Sequence, residues 1–151
     1  MTDILDEIIA HKRLEIEQQK AAISQELLIN NCNEPMPRRS MRASLSASPS
    51  GIIAEFKRRS PSKGWIKENA QADIISPAYE MAGASVLSIL TDENFFGGNL
   101  KDIRAARPQV SLPILRKDFI IDEYQLYQAC IVGADAVLLI AAALRKEQCS
   151  M

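Results

Sequence analysis

Apolar positions in this chain follow one period before Gly51 and another after it. Over residues 3 to 29, Ile4 with Ile8 and Leu5 with Ile9 form i,i+4 pairs, and Ile16, Ile23 and Leu27 continue the stripe. That spacing predicts one amphipathic helix, with no Gly or Pro inside it. Asn30, Asn31, Asn33, Pro35 and Pro37 then break the pattern. Arg38 to Ser46 has the makings of a short second helix, and Pro49-Ser50-Gly51 is punctuation before the next element.

Beyond Gly51 short apolar runs alternate with helical stretches. Strands are expected at Ile52–Lys57, Ala84–Thr91, Leu112–Lys117 and Asp135–Ile140. Helices are expected at Ala72–Met81, Asn99–Arg107 and Asp122–Val132, with another beginning at Leu144. Pro113 is tolerated because it stands at a strand start. Strand–helix alternation with near-continuous apolar strands predicts a parallel sheet covered on both faces. Gly83-Ala84-Ser85-Val86-Leu87 is echoed 50 residues later by Gly133-Ala134-Asp135-Ala136-Val137-Leu138, a helix ending at Gly with a strand starting at once. A unit repeated two steps apart suits a (βα) barrel. The chain therefore divides into an N-terminal helical extension, residues 1–48, and about four βα units, residues 49–151.

Composition narrows the classes. At 151 residues, 47% hydrophobic and 25% charged, the chain has the material for a real core. Its formal charge of −1 gives no global field for nucleic acid or an anionic membrane, and no apolar run reaches spanning length. Arg38, Arg39 and Arg42 form a compact basic cluster that reads as a solvated face. Cys32, Cys130 and Cys149 are odd in number and widely spaced, which indicates neither a disulfide framework nor a metal knuckle; Cys130 reads as core. One histidine, His11, argues against a His-based triad or metal site. No metal and no organic cofactor is expected, and the cytoplasm is the default compartment.

The most informative residues are charges inside strands. Side chains alternate along a strand, so Ile53, Glu55 and Lys57 share one face and Ile52, Ala54 and Phe56 the other. Pro113, Leu115 and Lys117 likewise share a face. In parallel barrels active sites lie at the C-terminal strand ends, so Glu55, Lys57 and Lys117 converge on one mouth. A structural ion pair of Glu55 with either lysine is the competing reading. Arg116 should face the helix layer and pair with Asp118, while Arg58 and Arg59 read as loop residues near the surface. Ser60-Pro61-Ser62-Lys63-Gly64 suits a phosphate or an ordinary loop. Trp65 reads as a lid contact or as packing on the rim. Phe95, Phe96 and Phe119 are an apolar wall for a ring or packing beneath helices.

Taken together, Ile53-Ala54-Glu55-Phe56-Lys57-Arg58-Arg59-Ser60-Pro61-Ser62, Leu87-Ser88-Ile89-Leu90-Thr91-Asp92, Phe96-Gly97-Gly98, Pro113-Ile114-Leu115-Arg116-Lys117-Asp118-Phe119-Ile120 and Gly133 to Ile140 resemble indole-3-glycerol-phosphate synthases of tryptophan biosynthesis. Ile4 to Arg13 is similar to that family's helical extension. The resemblance implies a (βα)8 TIM barrel of the ribulose-phosphate-binding type. It also implies a cofactor-free lyase that closes the indole ring of 1-(2-carboxyphenylamino)-1-deoxyribulose 5-phosphate with loss of CO2 and water. Lys117 matches the general acid, and Lys57 a lysine that binds the substrate's anionic groups. Glu55 matches a carboxylate that positions the lysine, Ser60 a residue of the first loop, and Phe96, Phe119 and Leu138 the wall around the ring. The family's catalytic base on the fifth strand and its main phosphate cradle have no counterpart in these 151 residues. The chain alone is thus expected to be an inactive, self-associating half barrel, and the full-length form a monomer. The alternatives are a half-barrel remnant, a Schiff-base aldolase using Lys117, and a flavodoxin-like binding domain.

Overall fold

In the computed structural model, which describes residues 3–32, 36–145 and 147–148, the predicted first helix is two. Helix α1 spans Ile4–Ala22, with the Asp3 carboxylate accepting the Leu5 N–H. Helix α2 spans Gln25–Cys32. Between them Ile23 is extended, and the Ser24 hydroxyl accepts the Leu27 N–H at 3.3 Å. The apolar stripe continues through Ile23, but serine's capping chemistry restarts the helix there. Asn30 and Asn31 are helical rather than breakers; Asn33, Pro35 and Cys149 lie outside the described residues. Helix α3, Met41–Ala47, is N-capped by Ser40 through the Ala43 N–H.

The barrel portion contains strands β1 (Ile53–Phe56), β4 (Val86–Leu90), β5 (Ile114–Lys117) and β6 (Ala136–Val137). All pair in parallel in the order β1-β4-β5-β6. A short antiparallel ribbon, β2 (Arg59–Ser60) with β3 (Gly64–Trp65), occupies what the sequence reads as a plain loop. Helices α4 (Ala72–Met81), α5 (Leu100–Ala106) and α6 (Tyr124–Val132) connect successive strands of the main sheet. Spatial order equals chain order, with no reversal. A doubly wound sheet places its first strand inside the sheet and reverses there, so this order excludes the flavodoxin-like alternative and fits a barrel.

The register assigns the faces. Phe56, Ile89, Arg116 and Val137 form one row across the sheet; Glu55, Ser88, Leu115 and Ala136 form the next, on the opposite face. The first row is the helix side, where Phe56, Leu87, Ile89 and Ile114 pack with Ile103, Ala106, Ala129 and Val132. Glu55 and, two residues beyond Leu115, Lys117 therefore belong to the side away from the helices. Strand β1 is not a central strand among the described residues: it ends the sheet, and Ile53 is exposed.

Two αβ joints repeat in atomic detail. Gly83 and Gly133 have φ of 94° and 89°. Ala84 N–H bonds Tyr79 O at 3.1 Å, as Ala134 N–H bonds Ala129 O at 3.0 Å. Ser85 and Asp135 then donate at 2.8 Å to Ile52 O and Ile114 O, the start of the preceding strand. The sequence echo is thus a repeated hydrogen-bonding unit.

Three further expectations change. The fourth strand is only two residues long, and residues 141–143 form a 3-10 turn, with no α-helix described over 144–148. The basic cluster is not simply solvated. Arg39 donates to Leu112 O at 3.0 Å and its N–H to Asp135, and Arg38 donates to Ala134 O, so both tie the extension to the barrel. Finally, Cys32 and Cys130 form a disulfide across 98 residues, with half-buried Cys130 linked to α2 rather than sunk in the core. Linear spacing carried no sign of it, because the α2–α6 packing that brings the two cysteines together is a tertiary contact.

Candidate active site

At the C-terminal edge of the sheet one carboxylate bridges two amines. Glu55 in β1 places Oε1 at 3.1 Å from Lys57 Nζ and Oε2 at 3.2 Å from Lys117 Nζ. Lys57 immediately follows β1; Lys117 ends β5, with β4 lying between. Ser88, beside Glu55 in the register, directs its hydroxyl to Oε2 at 3.5 Å. The three charged side chains keep 31 to 35% of their surface exposed. Partial burial works to raise the Glu55 carboxyl, but hydrogen bonds and charge from Lys57 and Lys117 outweigh it and hold the group below its ordinary 4.5. The product is two ammonium groups, fixed by one anion and open to solvent. Such an arrangement can bind an anionic ligand and deliver a proton to an oxygen that gains charge.

The other predicted residues divide. Phe96 and Phe119 come together with ring centroids 5.8 Å apart, from the loops after β4 and β5. Phe95, its chain neighbour, packs edge-on against His11 of α1 at 5.6 Å. The two neighbouring rings therefore separate: Phe95 packs beneath α1, while Phe96 turns to Phe119. Ser60 is buried within the β2–β3 ribbon, where its Oγ accepts the Lys63 N–H at 3.2 Å and lies 3.4 Å from Ser62 Oγ. No bond joins it to the Glu55 cluster. Leu138 follows β6 and is half-buried. Trp65 stays exposed, with Arg59 over its ring at 5.5 Å.

Arg58 is no surface residue. It holds Asp102 through two bonds of 2.6 and 2.7 Å and donates to Ala70 O and Gly97 O, tying the first loop to the N-terminus of α5. Gly98 is required in the loop after β4: a Cβ there would lie 2.2 Å from Leu90 O. Arg116 behaves as expected. It is buried on the helix side, bonding Asp118 at 3.0 Å, Thr91 Oγ1 at 3.0 Å and Gln125 O at 2.6 Å.

Sequence reading missed a second cluster. Lys12 of α1 is 1% exposed and places Nζ at 2.7 Å from Asp92 and 3.2 Å from Asp118, the residues that follow the ends of β4 and β5. Glu15, one helical turn on, adds a third contact at 2.9 Å. Lys12 interrupts the apolar stripe between the buried Ile8 and Ile16, four residues from each, and that spacing is the sequence feature that points it inward.

A cavity of about 660 Å³ runs beside α1, lined by Arg13, Lys20, Ile121, Asp122 and Arg145 among others; none of the predicted site residues lines it. Among the described residues no group of three His, Cys, Asp or Glu side chains is placed to hold a metal, and no helix is long and apolar enough to cross a membrane.

Comparison with known proteins identifies the family. The family model for indole-3-glycerol phosphate synthase matches residues 5–151. The chain is 69% identical over 149 residues to an indole-3-glycerol phosphate synthase of Bacteroides thetaiotaomicron, covering 99% of this chain and 57% of that protein. It is 51% identical over 152 residues to a protein of the same name from Neisseria meningitidis serogroup B, covering 98% and 58%. A relative from Syntrophobacter fumaroxidans is 44% identical over 151 residues, covering 97% and 57%. The chain thus spans a little under three-fifths of the length of these curated relatives.

Proposed function

The chain belongs to the indole-3-glycerol phosphate synthase family, and from that premise we propose that the protein closes an indole ring on 1-(2-carboxyphenylamino)-1-deoxyribulose 5-phosphate. The observation that carries this reading is the Glu55 carboxylate holding one ammonium on each oxygen at the strand ends.

The chemistry follows from charge. The aromatic carbon bearing the carboxylate attacks the ketone carbon of the sugar-derived chain. A C–C bond forms, the C=O π pair moves to oxygen, and Lys117 Nζ delivers the proton that oxygen needs. Loss of CO2 returns the electron pair to the ring; the new hydroxyl then takes up a proton and leaves as water while the neighbouring ring CH2 gives up a proton, and that C–H electron pair becomes the C=C that completes the aromatic indole. Lys57 pairs with the substrate's carboxylate before it leaves. Glu55 keeps the two cations apart and aimed, offsetting the cost of like charges at one mouth. Phe96 and Phe119 supply a face for the aniline ring. Ser60 and Leu138 complete the rim, where Ser60 acts through the β2–β3 ribbon.

A closed barrel of this kind has eight strands, and four parallel strands are described here. The reading therefore concerns the full-length protein, and a polypeptide of residues 1–151 alone is expected to give no product. The test is to supply the carboxyphenylamino substrate to the full-length protein and follow indole absorbance together with CO2 release. Equal molar yields support the reading; no product from folded protein refutes it. Borohydride added during turnover separates the aldolase alternative, since only a Schiff base is trapped as a covalent adduct on Lys117.

A further inference from the structure

The cluster around Lys12 buries four charges that sum to zero, Lys12 and Arg116 against Asp92 and Asp118, each at most 3% exposed, while Glu15, which also touches Lys12, stays partly in solvent at its rim. Its members reach both loops that flank the candidate site. Asp118 directly follows Lys117; its Oδ1 accepts the Phe119 N–H at 2.8 Å and its Oδ2 the Thr91 hydroxyl at 2.6 Å. Thr91 N–H in turn bonds Lys117 O at 3.0 Å. Asp92 Oδ2 accepts the Phe95 N–H at 2.9 Å, and Asp92 O accepts the Gly98 N–H at 2.8 Å, closing the loop that carries Phe96. The cation that touches both carboxylates from outside the sheet is Lys12, supplied by the N-terminal extension.

We propose that Lys12 is a positioning residue: it clamps the loops after β4 and β5 together, and so sets the placement of Lys117 and of the Phe96–Phe119 pair. The helical extension is then a working part of the site. This inference rests on the ring-closure reading. Catalysis tolerates little misplacement, about 100-fold in rate for 1 Å, so loosening the clamp acts on turnover more than on binding.

A plain structural ion pair makes a different prediction, and charge bookkeeping separates the two. Lys12→Met leaves two carboxylates facing Arg116 alone. Lys12→Met with Asp92→Asn restores a neutral cluster but leaves the two loops unjoined. In the full-length protein the unfolding midpoint, kcat and KM are measured for the unsubstituted protein and both variants. Expected are a lowered midpoint for Lys12→Met, largely restored in the double variant, and a kcat reduced about tenfold or more in both, with KM changed less than threefold. A double variant that regains kcat, that fails to fold, or that loses affinity instead of turnover overturns the proposal. Inactivity of the unsubstituted protein is a separate result: it overturns the ring-closure reading before any variant is compared.

Discussion

Two charge clusters stand at the same edge of the sheet, and one strand feeds both. Lys117 and Arg116 are neighbours in β5, yet Lys117 joins Glu55 and Lys57 at about one-third exposure, while Arg116 joins Asp118, Thr91 and the buried Lys12 network. Both clusters set carboxylates between cations, but burial decides their use. In the open cluster each pair is screened and replaceable, so its charges are free for a ligand. In the closed cluster every charge depends on its partners, because an unpaired ion there has no water to turn to.

The largest effect is expected from Lys117→Ala. Removing a general acid should lower kcat by about 10²- to 10⁴-fold. The unfolding midpoint should barely move, since ion pairs open to solvent contribute little. Equal loss of stability and activity would place Lys117 with the buried cluster instead. The reciprocal change, Asp118→Ala, strips both Lys12 and Arg116 of a partner. It should cost about 3–5 kcal/mol of stability, measured by denaturant unfolding; a cost near zero would mean the network is dispensable.

Acid sharpens the same contrast. Asp118 is held below its ordinary 3.8: burial works to raise it, but Arg116 and Lys12 outweigh that. Glu55 is likewise held below 4.5. For both groups the unfolded chain binds protons more readily, so their stabilisation is present above those ordinary values and is lost as pH falls through the lowered folded ones. Lys12 has the opposite sign: Asp118 and Asp92 raise it above 10.5 despite burial, so its contribution holds below that value and fades only at higher, strongly alkaline pH. Unfolding midpoints should therefore be level from near neutrality down to about pH 5 and fall below it, with Asp118→Asn flattening the acid limb more than Glu55→Gln. The smallest expected effect is Ser88→Ala. Its 3.5 Å contact to Glu55 is at the limit of a hydrogen bond, and kcat should change less than about twofold, consistent with well under 1 kcal/mol.

The open cluster was legible in the sequence, and the closed one was not. Glu55, Lys57 and Lys117 stand out because a charge at the end of an apolar strand must either pair with another charge or face a site, and period-two alternation fixes which way each points. Arg116 was readable from the same rule. Lys12 sits in a helix rich in Lys, Arg and Glu, where its spacing to Ile8 and Ile16 marks it as inward-facing but says nothing of its partners; docking α1 onto the strand ends supplies them. The Cys32–Cys130 bridge and the Arg58–Asp102 pair escaped for the same reason, being contacts across 98 and 44 residues. Local chemistry explains the remaining differences. Ser24 restarts the helix by capping, and the β2–β3 ribbon forms in a loop whose Ser, Pro and Gly content suits a tight turn as readily as an open one.

The most direct test of the central claim is a crystal structure of the full-length protein bound to the alcohol analogue of its substrate, in which the ketone oxygen is a hydroxyl. This oxygen is expected within hydrogen-bond distance of Lys117 Nζ, with the analogue's carboxylate beside Lys57 and its ring against Phe96 and Phe119. An analogue seated elsewhere, with Lys117 and Lys57 both still closed on Glu55, would contradict the claim.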